Sequence, residues 1–254
     1  TGTITQETFH VENGTLANAG TITFNNGYNK GTIDGQDTDD DGQADSYGDI
    51  NISGNFTNYA NAELTQDNLS IQNGTLTNET GASIKTLTGF SSLGEINNAG
   101  TMDITAVANS NIGSSINNSG DYTLTTTDGT ITAAIENTGD MTFNNASGGL
   151  TLAGEEIKNA GQMVFNNTAA WGVTNNRAFT GVTTAGVTTY GSLENKGYFN
   201  NRINKNSGII NQKDLINAGV LVNETDSKIV LSGDLTNDMT TFENQNAEVV
   251  ISSL

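Results

Sequence analysis

The chain of 254 residues contains no cysteine and no proline. Without cysteine it can form neither disulfides nor metal sites built on thiolates. The absence of cysteine does not identify the cellular compartment, because exported proteins can also lack it. Without proline, every backbone N–H is available to a β-ladder, which suits a chain that is hydrogen-bonded nearly throughout.

Positive charge is also scarce. Nine lysines and arginines face 28 aspartates and glutamates, which gives a formal net charge of −19. Nucleic-acid binding needs clustered cations that displace phosphate counterions, so we expect no nucleic-acid partner. Anionic membrane surfaces are disfavoured for the same reason. No run of about 18 apolar residues occurs, so we expect no segment that spans a membrane.

What the chain has instead is a polar, repetitive composition. Only 34% of the residues are apolar, and 30 glycines and 37 asparagines are present. A chain this polar is either disordered or spreads a thin core along its length. Regular internal repetition favours the second possibility, because each repeat can bury a small apolar face against its neighbours.

One motif recurs about every 20 residues: apolar, any, Asn, any, Gly, any, apolar. The asparagines of its seven copies are Asn18, Asn98, Asn118, Asn137, Asn159, Asn195 and Asn217. Asparagine and glycine suit tight corners. We therefore expect the seven asparagines to occupy equivalent corners, where stacked amides can hydrogen-bond as a ladder.

Apolar and polar residues alternate between the corners, as in Thr21–Phe24 and Met141–Phe143. Alternation of this kind is the β-strand period. The sequence therefore predicts an all-β fold, a right-handed parallel β-helix (β-solenoid) of about 12 coils of roughly 20 residues. We expect a single domain over residues 1–254, with an acidic loop inserted at 34–49 and an irregular excursion at 167–192. Trp171 is expected in the core of that excursion, with an exposed recognition loop as the alternative.

These Asn/Gly/Thr-rich coils resemble the solenoid shafts of bacterial surface adhesins, namely filamentous-haemagglutinin-like exoproteins and autotransporter passengers. The resemblance implies a secreted or cell-surface protein with a structural or adhesive role, in contact with a glycan or a surface receptor. Strand-prone ends suggest a further partner, a second copy bound end to end or by strand exchange.

The inserted loop reads D-x-D-x-D-G-x-x-D and resembles the calcium loops of EF-hands, dockerins and thrombospondin type 3 repeats. Carboxylates at alternate positions can converge on one hard cation such as Ca²⁺. The resemblance assigns as ligands Asp37, Asp39, Asp41, Gln43 through its carbonyl, and Asp45. Gly48 stands where the twelfth-position carboxylate is expected, and Asp49 is the candidate substitute. The alternative is a solvated acidic turn.

Three other functions remain as alternatives: a polysaccharide lyase or hydrolase, a viral tail-spike or fibre segment, and a surface that binds ice or mineral. Asp121 and Asp140 stand at matching positions of consecutive repeats, as a glycosidase pair would. Their place in the alternation points outward, however, and the only histidine, His10, has no evident nucleophile beside it. We therefore expect no enzymatic activity.

Overall fold

The structure is a computed structural model of the chain. It describes all residues except 1, 40, 42, 107–111, 113, 128, 146–147, 155, 168–171, 197, 202–208, 226, 239–240 and 253–254. The described residues form strands without helices, and these stack in parallel as a β-solenoid of about 11 turns. The prediction of an all-β parallel solenoid is confirmed, with slightly fewer turns than expected because two turns carry long insertions. Within the described chain, no helix has the length and apolar character needed to cross a membrane.

The chain divides into two compact units, Thr1–Tyr122 and Thr123–Leu254. The earlier strands are β1 (Thr3–Val11), β2 (Thr15–Ala17), β3 (Thr21–Asn29), β4 (Thr32–Asp34), β5 (Asp49–Ile52), β6 (Phe56–Asn58), β7 (Glu63–Ile71), β8 (Thr75–Asn78), β9 (Ser83–Ser92), β10 (Glu95–Asn98), β11 (Thr101–Ala106), β12 (Ser115–Asn118) and β13 (Asp121–Thr126). The next are β14 (Gly129–Ile131), β15 (Ala134–Asn137), β16 (Asp140–Asn145), β17 (Leu150–Leu152), β18 (Ile157–Asn159), β19 (Gln162–Asn167), β20 (Val173–Asn175), β21 (Phe179–Thr180), β22 (Val182–Thr184) and β23 (Val187–Thr189). The last are β24 (Ser192–Asn195), β25 (Tyr198–Asn201), β26 (Ile209–Gln212), β27 (Asp214–Asn217), β28 (Val220–Asn223), β29 (Lys228–Leu231), β30 (Leu235–Asn237), β31 (Phe242–Asn244) and β32 (Glu248–Ile251).

Each turn of the first unit passes through three strand positions. The first position stacks β1, β3, β5, β7 and β9, and the second stacks β1, β3, β6, β8, β10 and β12. The third position stacks β2, β4, β7, β9 and β11. All of these pairings are parallel, so chain segments about one turn apart exchange backbone hydrogen bonds in the same direction.

The second unit repeats this three-strand turn. Its first position stacks β14, β17, β20, β25, β28 and β31. Its second position stacks β15, β18, β21, β26, β29 and β32. Its third position stacks β16, β19, β24, β27 and β30.

The core is a set of apolar columns inside the turns. Ile22, Ile50 and Leu69 follow one another in the first strand position and are at most 1% exposed. In the second unit the stacked rings of Phe143 and Phe165 lie 5.2 Å apart. Because successive turns place like side chains above one another, a composition with few apolar residues still produces an apolar interior in each unit.

Asparagine ladders run alongside these apolar columns at the corners. In the first unit the amides of Asn29, Asn58, Asn78, Asn98 and Asn118 form a chain of hydrogen bonds 2.8–3.0 Å long. In the second unit, Asn195 donates to Asn217 at 2.8 Å, and Asn217 donates to Asn237 at 2.7 Å. Each donation satisfies a polar group that is shielded from water, so the ladder offsets the cost of its own burial.

The seven motif asparagines are all buried, as the ladder requires, but they do not occupy equivalent corners. Those at 98, 118, 137 and 159 end strands of the second position. Asn18 directly follows a strand of the third position, and Asn195 and Asn217 end strands of that position. The prediction of equivalence is therefore wrong, because the motif describes any corner between two short strands and does not distinguish one corner of a turn from another.

Candidate metal centre and the two arms

After β4 the chain leaves the coil in a segment that we call the acidic arm, residues 35–48. It returns to the coil at β5. The base of the arm is a short antiparallel contact between Gln36 and Ser46. The Gln36 N–H donates to the Ser46 carbonyl at 2.7 Å, and the Asp45 N–H donates to the Gln36 carbonyl at 2.9 Å. Backbone hydrogen bonds therefore close the base of the loop that carries the calcium-type sequence.

Three of the predicted ligands converge in this arm. Asp37, Asp39 and Asp45 each place a carboxylate oxygen within 4.8 Å of the others. Asp37 is half-buried, and Asp39 and Asp45 are exposed. Three like charges at this separation repel one another, and a divalent cation among them would replace that repulsion with attraction.

Hydrogen bonds inside the loop fix the direction of these carboxylates. The Asp39 N–H donates to Asp37 Oδ1 at 3.2 Å. Asp45 Oδ2 accepts from the Thr38 N–H at 2.7 Å and also from the Thr38 hydroxyl. The two bonds from Thr38, the hydroxyl first, lower the pKa of the Asp45 carboxyl below its ordinary value. A carboxylate held charged in this way suits a hard cation.

The remaining predicted ligands are Asp41, Gln43 and Asp49. Asp41 is exposed, and its Oδ1 accepts from the Gln43 N–H at 2.8 Å. Asp41 does not belong to the group of three converging carboxylates, and Gln43, whose predicted ligand is its main-chain carbonyl, stays a prediction. Asp49 begins β5, and its Oδ1 accepts from the Asn68 side chain at 2.6 Å. Asp49 is thus tied to the next turn by a contact along the outer face.

A second departure, the threonine arm, spans residues 181–191. Its strands β22 and β23 pair antiparallel, with Val182 opposite Thr189. They are joined through Ala185 and Gly186, both with positive φ of 50° and 79°. That geometry is typical of a two-residue hairpin turn whose twist matches its strands. Residues 183–189 are all exposed, and none of them is charged.

Both arms leave the coil through the same device. At the exit, Gly35 or Gly181 occupies the corner position at which the turns before and after carry an asparagine or glutamine side chain. A Cβ at either glycine would lie 2.5 Å from a carbonyl oxygen of the returning strand, that of Ser46 or of Thr189. Only glycine allows the returning strand to approach this closely.

A glutamine one turn further on spans the gap that the glycine leaves. Gln66 Oε1 accepts from the Asn18 amide, and Gln212 Oε1 accepts from the Asn159 amide at 2.9 Å. In both cases the glutamine Nε2 donates to the carbonyl of the residue before the exit glycine, 32 residues earlier, at 3.1 Å for Gln66 and 3.0 Å for Gln212. The longer side chain keeps the buried asparagine paired across a turn that lacks its own amide.

The return to the coil is also the same in both arms. The acidic arm ends in Tyr47-Gly48, and the threonine arm ends in Tyr190-Gly191. A Cβ on either of these glycines would lie 2.6 Å from the side-chain nitrogen of the asparagine at that corner. In the acidic arm, burial and the carboxylates of Asp34 and Asp67 raise the pKa of the Tyr47 hydroxyl.

This shared exit was missed by the sequence reasoning, which placed the second excursion at residues 167–192. The structure keeps 173–175 and 179–180 in the coil as β20 and β21. The available signal was the combination of a Gly in the motif position, a later Tyr-Gly pair, and a glutamine in the next turn. This pattern has low specificity because glycine, tyrosine and glutamine each occur at several other positions.

The other candidates for chemistry are placed as follows. Asp121 and Asp140 are exposed at the starts of their strands. His10 stacks on Tyr28 with ring centroids 4.1 Å apart. Arg177 is fully buried, and its Nη2 donates to the Ala133 carbonyl at 2.6 Å. Trp171 lies outside the described residues.

Comparison with known proteins gives no match, whether to protein-family models, to curated proteins or to solved structures. Function is therefore inferred from the residues and their geometry.

Proposed function

We propose that this chain is a structural or adhesive protein of the extracellular space or cell surface, a solenoid shaft whose acidic arm binds Ca²⁺. The observation that carries the proposal is the parallel coil of about 11 turns. In each unit, a stack of short strands with an apolar interior and amide ladders gives a repetitive module at low apolar content. Such a module suits a spacer or scaffold.

Calcium is proposed on the combination of sequence and geometry in the acidic arm. The D-x-D-x-D-G-x-x-D sequence supplies the oxygen ligands that Ca²⁺ prefers, and Asp37, Asp39 and Asp45 bring their carboxylates within 4.8 Å of one another. The cation would hold the arm closed on the Gln36–Ser46 base. We assign it a stabilising role, because the arm joins two consecutive turns of one rigid scaffold.

Unfolding in urea with CaCl₂ or with EGTA tests the calcium assignment. A ligand that binds only the folded state stabilises it by about 2.7 kcal/mol at 100 times its dissociation constant. We expect stabilisation of this size in the wild type and little in Asp37→Asn/Asp39→Asn. Asp121→Asn, an exposed carboxylate on a strand, is the matched control and should respond like the wild type. Equal curves with and without calcium would contradict the assignment.

The structural role and the surface location are tested on native material. Antibody labelling of intact cells, together with electron microscopy of the extracellular fraction, should find the protein outside the cell. Sedimentation velocity over a range of concentrations distinguishes a monomeric shaft from self-associating subunits and from a trimeric fibre. Labelling that requires permeabilised cells would overturn the proposed location.

A further inference from the structure

Outside the two arms, one surface cluster in the first unit surrounds the ammonium group of a lysine of the same chain. We call it the tyrosine cage: Glu12, Tyr28 and Tyr59, with Lys30 inside it. The rings of Tyr28 and Tyr59 are nearly perpendicular, at 84°, with centroids 5.6 Å apart. The Lys30 ammonium lies 4.7 Å from the Tyr28 centroid and 5.4 Å from the Tyr59 centroid.

The carboxylate of Glu12 forms the third wall of the cage. Its Oε2 lies 3.1 Å from Lys30 Nζ, and its Oε1 accepts a hydrogen bond from the Tyr28 hydroxyl. His10 stacks on the Tyr28 ring with an interplanar angle of 17°, which fixes the orientation of that wall. Two ring faces and a carboxylate around one cation are the elements with which proteins recognise quaternary ammonium groups.

We propose that the tyrosine cage is a binding site for a quaternary ammonium ligand of the choline type, and that Lys30 occupies the place of the ligand in its absence. A quaternary ammonium has no N–H donors, so ring faces and a carboxylate satisfy it fully. The Lys30 ammonium has three donors that prefer water, and its side chain is 42% exposed.

Displacing the Lys30 side chain from the cage costs little free energy. Its partner Glu12 is 59% exposed, and an ion pair between exposed side chains contributes little to stability. The lysine stem can swing into solvent without uncovering the core. The net charge of −19 also raises the local concentration of cations at the surface. The same charge disfavours a ligand that carries a phosphate beside its ammonium group.

The test is a titration with choline chloride, followed by NMR of the choline N-methyl protons and of the protein amides. The wild type should bind, and Lys30→Ala should bind about fivefold more tightly because no ion pair has to be displaced. Tyr59→Leu keeps apolar volume at an exposed position but removes the ring face, so it should weaken binding about two- to fivefold. Lys158→Ala, which removes a lysine paired with Glu136 at 4.0 Å, is the control and should bind like the wild type.

A parallel titration with phosphocholine distinguishes a free quaternary amine from a phosphorylated headgroup, and we expect choline to bind more tightly. Thermal unfolding of each variant establishes that the fold is intact. Absence of binding in a folded Lys30→Ala variant would overturn the proposal. Binding in Lys30→Ala but not in the wild type would overturn it too, because Lys30 would then be a permanent occupant. Binding unchanged by Tyr59→Leu would place the ligand elsewhere.

Discussion

The acidic arm and the threonine arm share one exit from the coil and differ in everything beyond it. Both leave at a glycine, return through Tyr-Gly, and are spanned by a glutamine that reaches back to a buried asparagine. One arm then brings three carboxylates together, whereas the other is an uncharged hairpin whose own strands pair. The shared exit therefore keeps the buried side chains of the coil paired, whereas the residues beyond the exit can differ from one arm to the other.

The largest expected effect comes from crowding the exits. Gly35→Ala and Gly181→Ala each place a methyl group 2.5 Å from a backbone carbonyl that cannot turn away. We expect each to destabilise the fold by about 1–3 kcal/mol in urea unfolding. Gly2→Ala, which meets nothing within 4 Å, is the control and should be neutral. Gly181→Ala keeps the acidic arm intact, so calcium should stabilise it as much as the wild type, whereas Gly35→Ala, which alters the exit beside the ligands, should respond less.

If Gly181→Ala were as stable as Gly2→Ala, the returning strand of the threonine arm would not need the close approach. The two exits would then not be one device. A full calcium response in Gly35→Ala together with none in Gly181→Ala would instead separate the metal from the acidic arm.

A smaller effect is expected from the two glutamines. Gln66→Leu and Gln212→Leu remove the acceptor of a buried asparagine amide, which costs about 1–3 kcal/mol. Asn159 is fully buried, whereas Asn18 is 7% exposed. The loss should therefore be greater for Gln212→Leu than for Gln66→Leu in urea unfolding.

Gln72→Leu, at an exposed position of a corner, provides the baseline for the glutamine pair. Losses no larger than this baseline would mean that the asparagines find other partners. The proposed role of the glutamines would then fail in both arms.

The repeat motif and the arms differ in how far the sequence alone predicts them. Strand alternation and a motif recurring about every 20 residues were enough for a parallel solenoid with interior asparagines, since both follow from local chemistry. The prediction that the seven motif asparagines occupy equivalent corners was wrong, because the motif fits more than one corner of a turn. Asn159 and Asn195 match in sequence yet end different strand positions.

Three ligands of the candidate metal site could also be predicted from the sequence. Asp37, Asp39 and Asp45 converge because a loop of that sequence turns on itself, so the ligands are local. The bonds from Thr38 to Asp45 and the Gln66 bridge depend on contacts that the motif does not specify. The threonine arm was located only roughly, because the 20-residue rhythm happens to be restored beyond it.

The smallest expected effect is confined to the acidic arm. The Thr38 hydroxyl is the largest cause of the lowered pKa of Asp45, so Thr38→Val should raise that pKa towards its ordinary value. A carboxyl whose folded pKa is lowered adds stability above its unfolded pKa, and this is lost as the pH falls through the folded pKa. NMR titration of the Asp45 carboxyl without calcium measures the shift, and an unchanged pKa would contradict the hydrogen bond. Thr183→Val in the other arm should leave the Asp45 pKa unaltered.

The most direct test of a calcium-stabilised coil is native-state hydrogen exchange of the wild type, with and without Ca²⁺, read at both arms in one sample. The amides of Gln36 and Asp45 bond across the base of the acidic arm, and their exchange should slow when calcium is added. The amides of the threonine arm, residues 182–189, should exchange at the same rate in both conditions. Exchange that is unaffected in the acidic arm, or slowed equally in both arms, would contradict the account.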